Sequence, residues 1–337
     1  MHSKTQDTHM AKIDVTELDI FYISYDEPNC EEHWADLLNK VPWAKRIHGV
    51  KGFDAAHKAA ANQSETDRFI TVDGDNIVMD DFFEQVLDVP DTDLDGNNIS
   101  ESIFSWNAKN ILNGLVYGNG GLKCWPTEYT KSINTHEAAT DGEGMGFCWK
   151  LNYIQLNDTF SEVHQTASPF QAVRAGFREV VKMSTDQGTR VSPDNFKEKI
   201  WWQNYNRLQT WCNIGSDVEN GLWAIYGARL GCEMTVMSQW NTNLISDYDW
   251  FKDFFDNTIL PRFPGDDADE DDHLRASGVF PPGEKHDPGQ MEPSATALLP
   301  LSPLRAPPQP SQDGGGCKAH TRCILPLPML YVWKGER

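Results

Sequence analysis

The run RFITVDGDN, residues 68–76, leads a short apolar stretch directly into two carboxylates, Asp73 and Asp75, separated by one glycine. Acids this close repel one another unless something positive sits between them: a metal ion, a basic partner or solvent. Mg²⁺ and Mn²⁺ take oxygen ligands, and one or two carboxylates with phosphate oxygens completing the shell is a common arrangement. Gly74 lets the chain turn tightly enough for both acids to reach one side. The competing account is a polar turn closing a strand, a frequent use of Asp-Gly pairs.

Further polar groups follow along the chain. SWNAKNILNGLVYGNGGLKCWP (105–126) gathers Gly118, Gly120 and Gly121 around Asn119. Either a ligand approaches the backbone there or the glycines form a hairpin turn. Trp106, Asn107 and Trp125 offer a stacking surface for a sugar or base, with core packing as the alternative. NTHEAATDGEGMGFCW (134–149) concentrates His136, Glu137, Asp141 and Glu143, but Thr140 stands where the second histidine of a zinc-protease helix has to fall. DTDLDGNNISES (91–102) begins like a calcium loop, yet Ser102 replaces the bidentate glutamate, which leaves an acidic surface loop. VHQTASPFQAVRAGFREVVKM (163–183) opens with His164 and carries a Ser168-Pro169 helix start. Its Arg174 and Arg178 lie one turn apart, suited to a phosphate or carboxylate, or simply to a charged helix face. No P-loop, nucleophile elbow or Rossmann glycine fingerprint occurs.

The elements that must position these residues are legible in the first half. DIFYISYD (19–26), CEEHWADLLNKV (30–41), AKRIHGVKG (44–52), FDAAHKAAANQ (53–63) and DRFITVD (67–73) read as strand, helix, strand, helix, strand. That order predicts an α/β fold with a mostly parallel sheet flanked by helices, whose ligands bind beyond the carboxyl ends of the strands. Tyr25-Asp26 and Asp73-Gly74-Asp75 fall at such ends. Residues 195–231 are predicted to be helical and are dense in tryptophan: Trp201, Trp202, Trp211 and Trp223.

At 337 residues the chain can bury a sizeable core without disulfides, and a net charge of -21 opposes non-specific nucleic-acid binding. Its seven cysteines show no CxxC pairing, and five of them, lying singly in apolar or helical surroundings, read as reduced core thiols. No segment has the roughly 20 apolar residues of a membrane span, so a soluble, cytoplasmic protein is expected. Composition changes near residue 264: 13 of the 19 prolines fall from Pro261 onward, and an acidic run, DDADEDDH, opens that stretch. The expected organisation is a flexible N-terminus (1–16), one domain (17–263) and a disordered Pro/Gly/acidic tail (264–337).

The Asp73-x-Asp75 motif after the RFITV strand, with the opening DIFYISYDE, resembles the nucleotide-sugar glycosyltransferases of the GT-A fold. More narrowly, FYISYDEPN, VPWAKRIHGVKGFDAAHKAAANQSETDRFITVDGDN, YGNGGLKCWP, THE, FCW and SPFQAVRAGFREVVKM make residues 17–262 similar to glycosyltransferases encoded by tailed bacteriophages. The resemblance implies a GT-A-like (Rossmann-like) domain working in the host cytoplasm. It implies that Asp73 and Asp75 hold Mn²⁺ or Mg²⁺ on the diphosphate of a UDP- or GDP-sugar, with Asp73 also meeting the donor and His164 or His136 as a third ligand. Ser24, Tyr25 and Asp26 would then cradle the nucleoside, and Gly120 and Gly121 would face the donor sugar. A metal bridging the diphosphate stabilises its charge as it leaves. An inverting transferase also needs a carboxylate base beside the acceptor hydroxyl, for which Glu137 and Asp141 are the candidates against a solvated acidic loop. The acceptor expected is a modified DNA base, a capsid protein or a host glycan. A nucleotidyltransferase is the rival enzyme, but it usually carries a glycine-rich basic loop where this chain has the acidic SYDEPNCEEHW. A non-catalytic module whose acidic cleft holds a cation or a basic partner is the rival of another class. Mn²⁺-dependent binding of a nucleotide sugar separates them.

Overall fold

The computed structural model describes residues 10–92, 99–118, 120–135, 152–186, 188–263 and 332–334. Asn119, His136, Glu137, Asp141, Glu143, residues 93–98 of the 91–102 loop and the tail apart from 332–334 lie outside the described residues. The chain divides into two compact units, one of residues 1–139, 144–167 and 322–337, the other of residues 140–143 and 168–321.

The first unit runs β1 (Met10–Asp14), β2 (Asp19–Ser24), α1 (Cys30–Lys40), β3 (Lys45–His48), α2 (Phe53–Gln63), β4 (Arg68–Asp73), β5 (Asn76–Val78), β6 (Gln85–Pro90), β7 (Ile103–Asn110), β8 (Val116–Tyr117), β9 (Lys123–Pro126), α3 (Thr127–Thr130) and β10 (Tyr153–Val163). The five elements from β2 to β4 match the expected order. Side-chain alternation explains how the strands serve both faces of the sheet. Ile20 and Tyr22 of β2 join Ile70 and Val72 of β4 in a cluster with Cys30 and Leu37 of α1. Phe21 and Phe69 turn the other way, onto Ala56, Ala60 and Ala61 of α2. Strands covered on both faces carry consecutive buried apolar residues, as these do at Ile20, Phe21 and Tyr22 and at Phe69 and Ile70.

The main sheet has the order β3-β2-β4-β9-β7-β10-β5, with β8 attached to β7. β2 is parallel to β3 and β4, and β7 to β10, but β9 is antiparallel to both β4 and β7, and β5 is antiparallel to β10. The sheet is therefore mixed, which corrects the expectation of a mostly parallel one. The physical reason lies in the connection: β9 returns alongside β7 through β8 and a glycine-rich loop with no crossover helix, and a link of that kind delivers an antiparallel neighbour. This reversal brings the amino end of β9 to the same edge as the carboxyl ends of β2, β4 and β7. A smaller sheet pairs β1 with β6, and Val332–Lys334 adds a short antiparallel strand to β6.

The second unit comprises α4 (Pro169–Met183), the two-residue strands β11 (Thr185–Asp186) and β12 (Thr189–Arg190), α5 (Phe196–Lys199), α6 (Trp202–Asn213), α7 (Gly221–Met237) and α8 (Tyr248–Phe254). Ser168 caps α4 as expected, its Oγ accepting the Gln171 N–H at 3.1 Å ahead of Pro169. α4 and α7 cross at backbone contact. A Cβ on Gly176 would fall 2.1 Å from the Ala224 carbonyl oxygen, and one on Gly227 would fall 2.2 Å from that of Val173. Trp211 and Trp223 are core residues, whereas Trp201 and Trp202 are exposed. Among the described residues no helix is long and apolar enough to cross a membrane.

Candidate functional site

β4 delivers Asp73 to the sheet edge, and the next peptide is held from beneath. The Gly74 carbonyl lies 2.7 Å from the Tyr22 hydroxyl and 3.1 Å from His33 Nδ1. Tyr22 can instead donate to the Cys30 carbonyl at 2.9 Å. Burial raises the phenol pKa of Tyr22, which keeps its O–H available as a donor. Burial lowers the pKa of His33, favouring the neutral ring, and because a carbonyl only accepts, Nδ1 carries the proton in this bond. Glu27 Oε2 accepts the Tyr25 N–H at 2.7 Å and stands 2.7 Å from where a Cβ of residue 74 would be. A side chain at position 74 would thus require the Glu27 carboxylate to shift.

Asp75 is fixed by neutral donors. Asn76 Nδ2 donates to Oδ1 and Gln165 Nε2 to Oδ2, both at 2.7 Å, and the Asp75 carbonyl accepts the His164 N–H at 2.7 Å. Asp73 is half-buried and faces the glycine loop. A Cβ on Gly121 would lie 2.2 Å from Asp73 Cβ and 2.6 Å from its Oδ2. The Gly121 N–H donates to Asn76 Oδ1 at 3.2 Å, which also accepts the Ser161 hydroxyl at 3.2 Å. Lys123 Nζ, buried in β9, donates to the Gly120 carbonyl at 2.5 Å. The sequence-predicted residues Asp73, Asp75, Gly120 and Gly121 are therefore brought together.

Ser24 ends β2 at the same edge. Its buried hydroxyl accepts from Arg46 Nε at 3.1 Å and lies 2.9 Å from His48 Nδ1. Arg46 forks onto Glu31 at 2.9 and 2.7 Å, and these bonds lower the Glu31 pKa. Tyr25 is half-buried and Asp26 exposed just beyond the strand end. His164 adjoins the acidic turn through its backbone. Its ring meets His33 edge to face with centroids 5.4 Å apart, and Nε2 is 3.5 Å from Glu162 Oε2. Among the described residues no three His, Cys, Asp or Glu side chains form a group suited to a metal ion. The base candidates Glu137 and Asp141, and His136, are outside the described residues.

The aromatics sort differently from a stacking surface. Trp106 and Trp125 are fully buried, and Trp125 Nε1 donates to Thr71 Oγ1 at 2.8 Å. Asn107 Nδ2 donates to the Asn157 carbonyl at 2.8 Å. Sequence reasoning missed Tyr22, His33, Asn76, Lys123 and Gln165. Two of these left a signal: Asn76 directly follows the acidic turn, and Lys123 is a lone charge inside the apolar run LKCW.

No protein-family model matches this chain, and no curated protein matches it.

Proposed function

We propose, from the residues and their geometry, that the chain is a metal-dependent glycosyltransferase of GT-A type, similar to those of tailed bacteriophages. It moves a sugar from a UDP- or GDP-sugar to an acceptor hydroxyl on a modified DNA base, a glycan or a protein. One observation carries the reading: the acidic turn, the glycines preceding β9 and the carboxyl end of β2 share one sheet edge, with Gly121 packed on Asp73.

Asp73 and Asp75 are the proposed ligands of Mn²⁺ or Mg²⁺. The donor set fits a hard cation, since each Asp75 oxygen receives one amide N–H and keeps a lone pair, and such amides orient a ligating carboxylate. When bound, the cation would neutralise charge on the departing diphosphate. Ser24, Tyr25 and Asp26 receive the nucleoside, and Gly120 and Gly121 admit the sugar against bare backbone. His164 stands as the further ligand at the turn. Glu137 or Asp141 takes the proton from the acceptor hydroxyl.

The test is a thermal-shift and hydrolysis screen of UDP-, GDP- and dTDP-sugars with and without Mn²⁺, on wild type and Asp75→Ala. Stabilisation or slow sugar release that needs the metal and disappears in the variant is the expected result. If no donor produces a response and the variant matches wild type, Asp73-Gly74-Asp75 is a polar turn and the transferase reading fails.

A further inference from the structure

One peptide group, that joining Gly120 to Gly121, is held on three sides. Its carbonyl accepts from Lys123 Nζ, its N–H donates to Asn76 Oδ1, and the Cα that follows abuts Asp73. Flanked by two glycines, this peptide has little intrinsic preference for either orientation. A flipped peptide would point its carbonyl oxygen at Asn76 Oδ1 and its N–H at an ammonium, so both contacts become repulsive.

The two clamping residues are unusual choices for stability alone. Lys123 is buried, and a buried ammonium is costly unless it is anchored. Asn76, also buried, links elements distant in sequence: the same amide group accepts from Gly121 and Ser161 and donates to Asp75. We propose that Asn76 and Lys123 are positioning residues that lock the Gly120–Gly121 peptide against Asp73, so that the glycine loop and the acidic turn meet a metal-bound diphosphate as one rigid lip. The inference rests on reading this edge as the donor site.

The experiment uses the full chain and the variants Lys123→Met, Lys123→Arg and Asn76→Ala. Three readouts are taken: hydrogen exchange of the peptide spanning residues 118–122, the Mn²⁺ dissociation constant from the free-ion EPR signal, and kcat and KM for sugar hydrolysis from the UDP- or GDP-sugar. Lys123→Met and Asn76→Ala should melt cooperatively, exchange faster at 118–122 and raise KM at least tenfold; in Lys123→Met kcat stays within about twofold of wild type, the pattern of lost ground-state binding, whereas Asn76→Ala also removes a donor to Asp75 and lowers kcat as well. Lys123→Arg should restore most of the KM. Unchanged exchange and unchanged KM in both disruptive variants overturn the inference, and if one does not fold the other decides alone. A wild type that binds neither Mn²⁺ nor any donor fails the donor-site reading instead, and that result is visible before any variant is made.

Discussion

At Gly121 a single methyl group has nowhere to go. The Cβ of an alanine would overlap Asp73, whose own Cβ would be 2.2 Å away, so either the carboxylate or the loop must shift. Gly121→Ala should cost on the order of 1–3 kcal/mol as overpacking and should abolish any Mn²⁺-dependent thermal shift. If the variant keeps a wild-type shift, Asp73 does not need its present position. His33 makes a prediction of a different kind. Its pKa is lowered, first by burial and further by His164, against the raising effects of the Gly74 bond and Asp75. Above about pH 6.5 the ring is neutral in folded and unfolded chains alike, and its full contribution to stability is present. As pH falls below that value the unfolded chain binds the proton first. Stability is then lost until the lowered folded pKa is passed. Urea melts from pH 7.5 to 5 should therefore show a steeper decline in wild type than in His33→Gln, whose amide can still donate to Gly74. Parallel declines would assign the titration to another group.

The helix pair α4 and α7 turns an ordinary substitution around. Gly→Ala inside a helix normally gains up to about 1 kcal/mol from propensity. At Gly227 the added Cβ would lie 2.2 Å from the Val173 carbonyl oxygen, a backbone atom that moves only if the helices separate. Gly227→Ala should thus destabilise by about 1–3 kcal/mol in urea melts, and a stabilised variant would mean the helices are not in backbone contact. What the sequence reveals follows the same division between local and distant. β2 to β4 and their helices were legible because strand and helix periodicities are written within single segments. The reversal of β9 was not, because the sheet neighbours of LKCW lie elsewhere in the chain. The acidic turn and the glycine pair could be named from their residue types alone. Their companions could not: Asn76 finds Gly121 45 residues away, and Gln165 finds Asp75 90 residues away. Trp106 and Trp125 were ambiguous for the same reason, since only the packed sheet decides between a core and a stacking surface.

Over the whole chain, 50 acidic residues face 29 basic ones, leaving a charge of -21 near neutral pH. Such an excess destabilises a compact state by self-repulsion, while surface ion pairs such as Lys252–Asp256 and Lys131–Glu128 contribute at most about 1 kcal/mol each. Added salt weakens both effects. Because like charges outnumber pairs, screening should raise the melting midpoint between 10 and 500 mM NaCl, conditions over which the Debye length shrinks from about 30 Å to a few ångströms. A falling midpoint would mean that the pairs dominate. The same field bears on the acceptor of the proposed transferase. DNA is a polyanion and would approach this chain against repulsion, so transfer to DNA should quicken as salt rises, the reverse of the behaviour of basic DNA-binding proteins. Transfer to an uncharged glycan should respond little. Initial rates against NaCl, with the donor saturating, therefore separate the two acceptors, and a rate to DNA that falls steeply with salt would require a basic surface strong enough to overcome the overall charge.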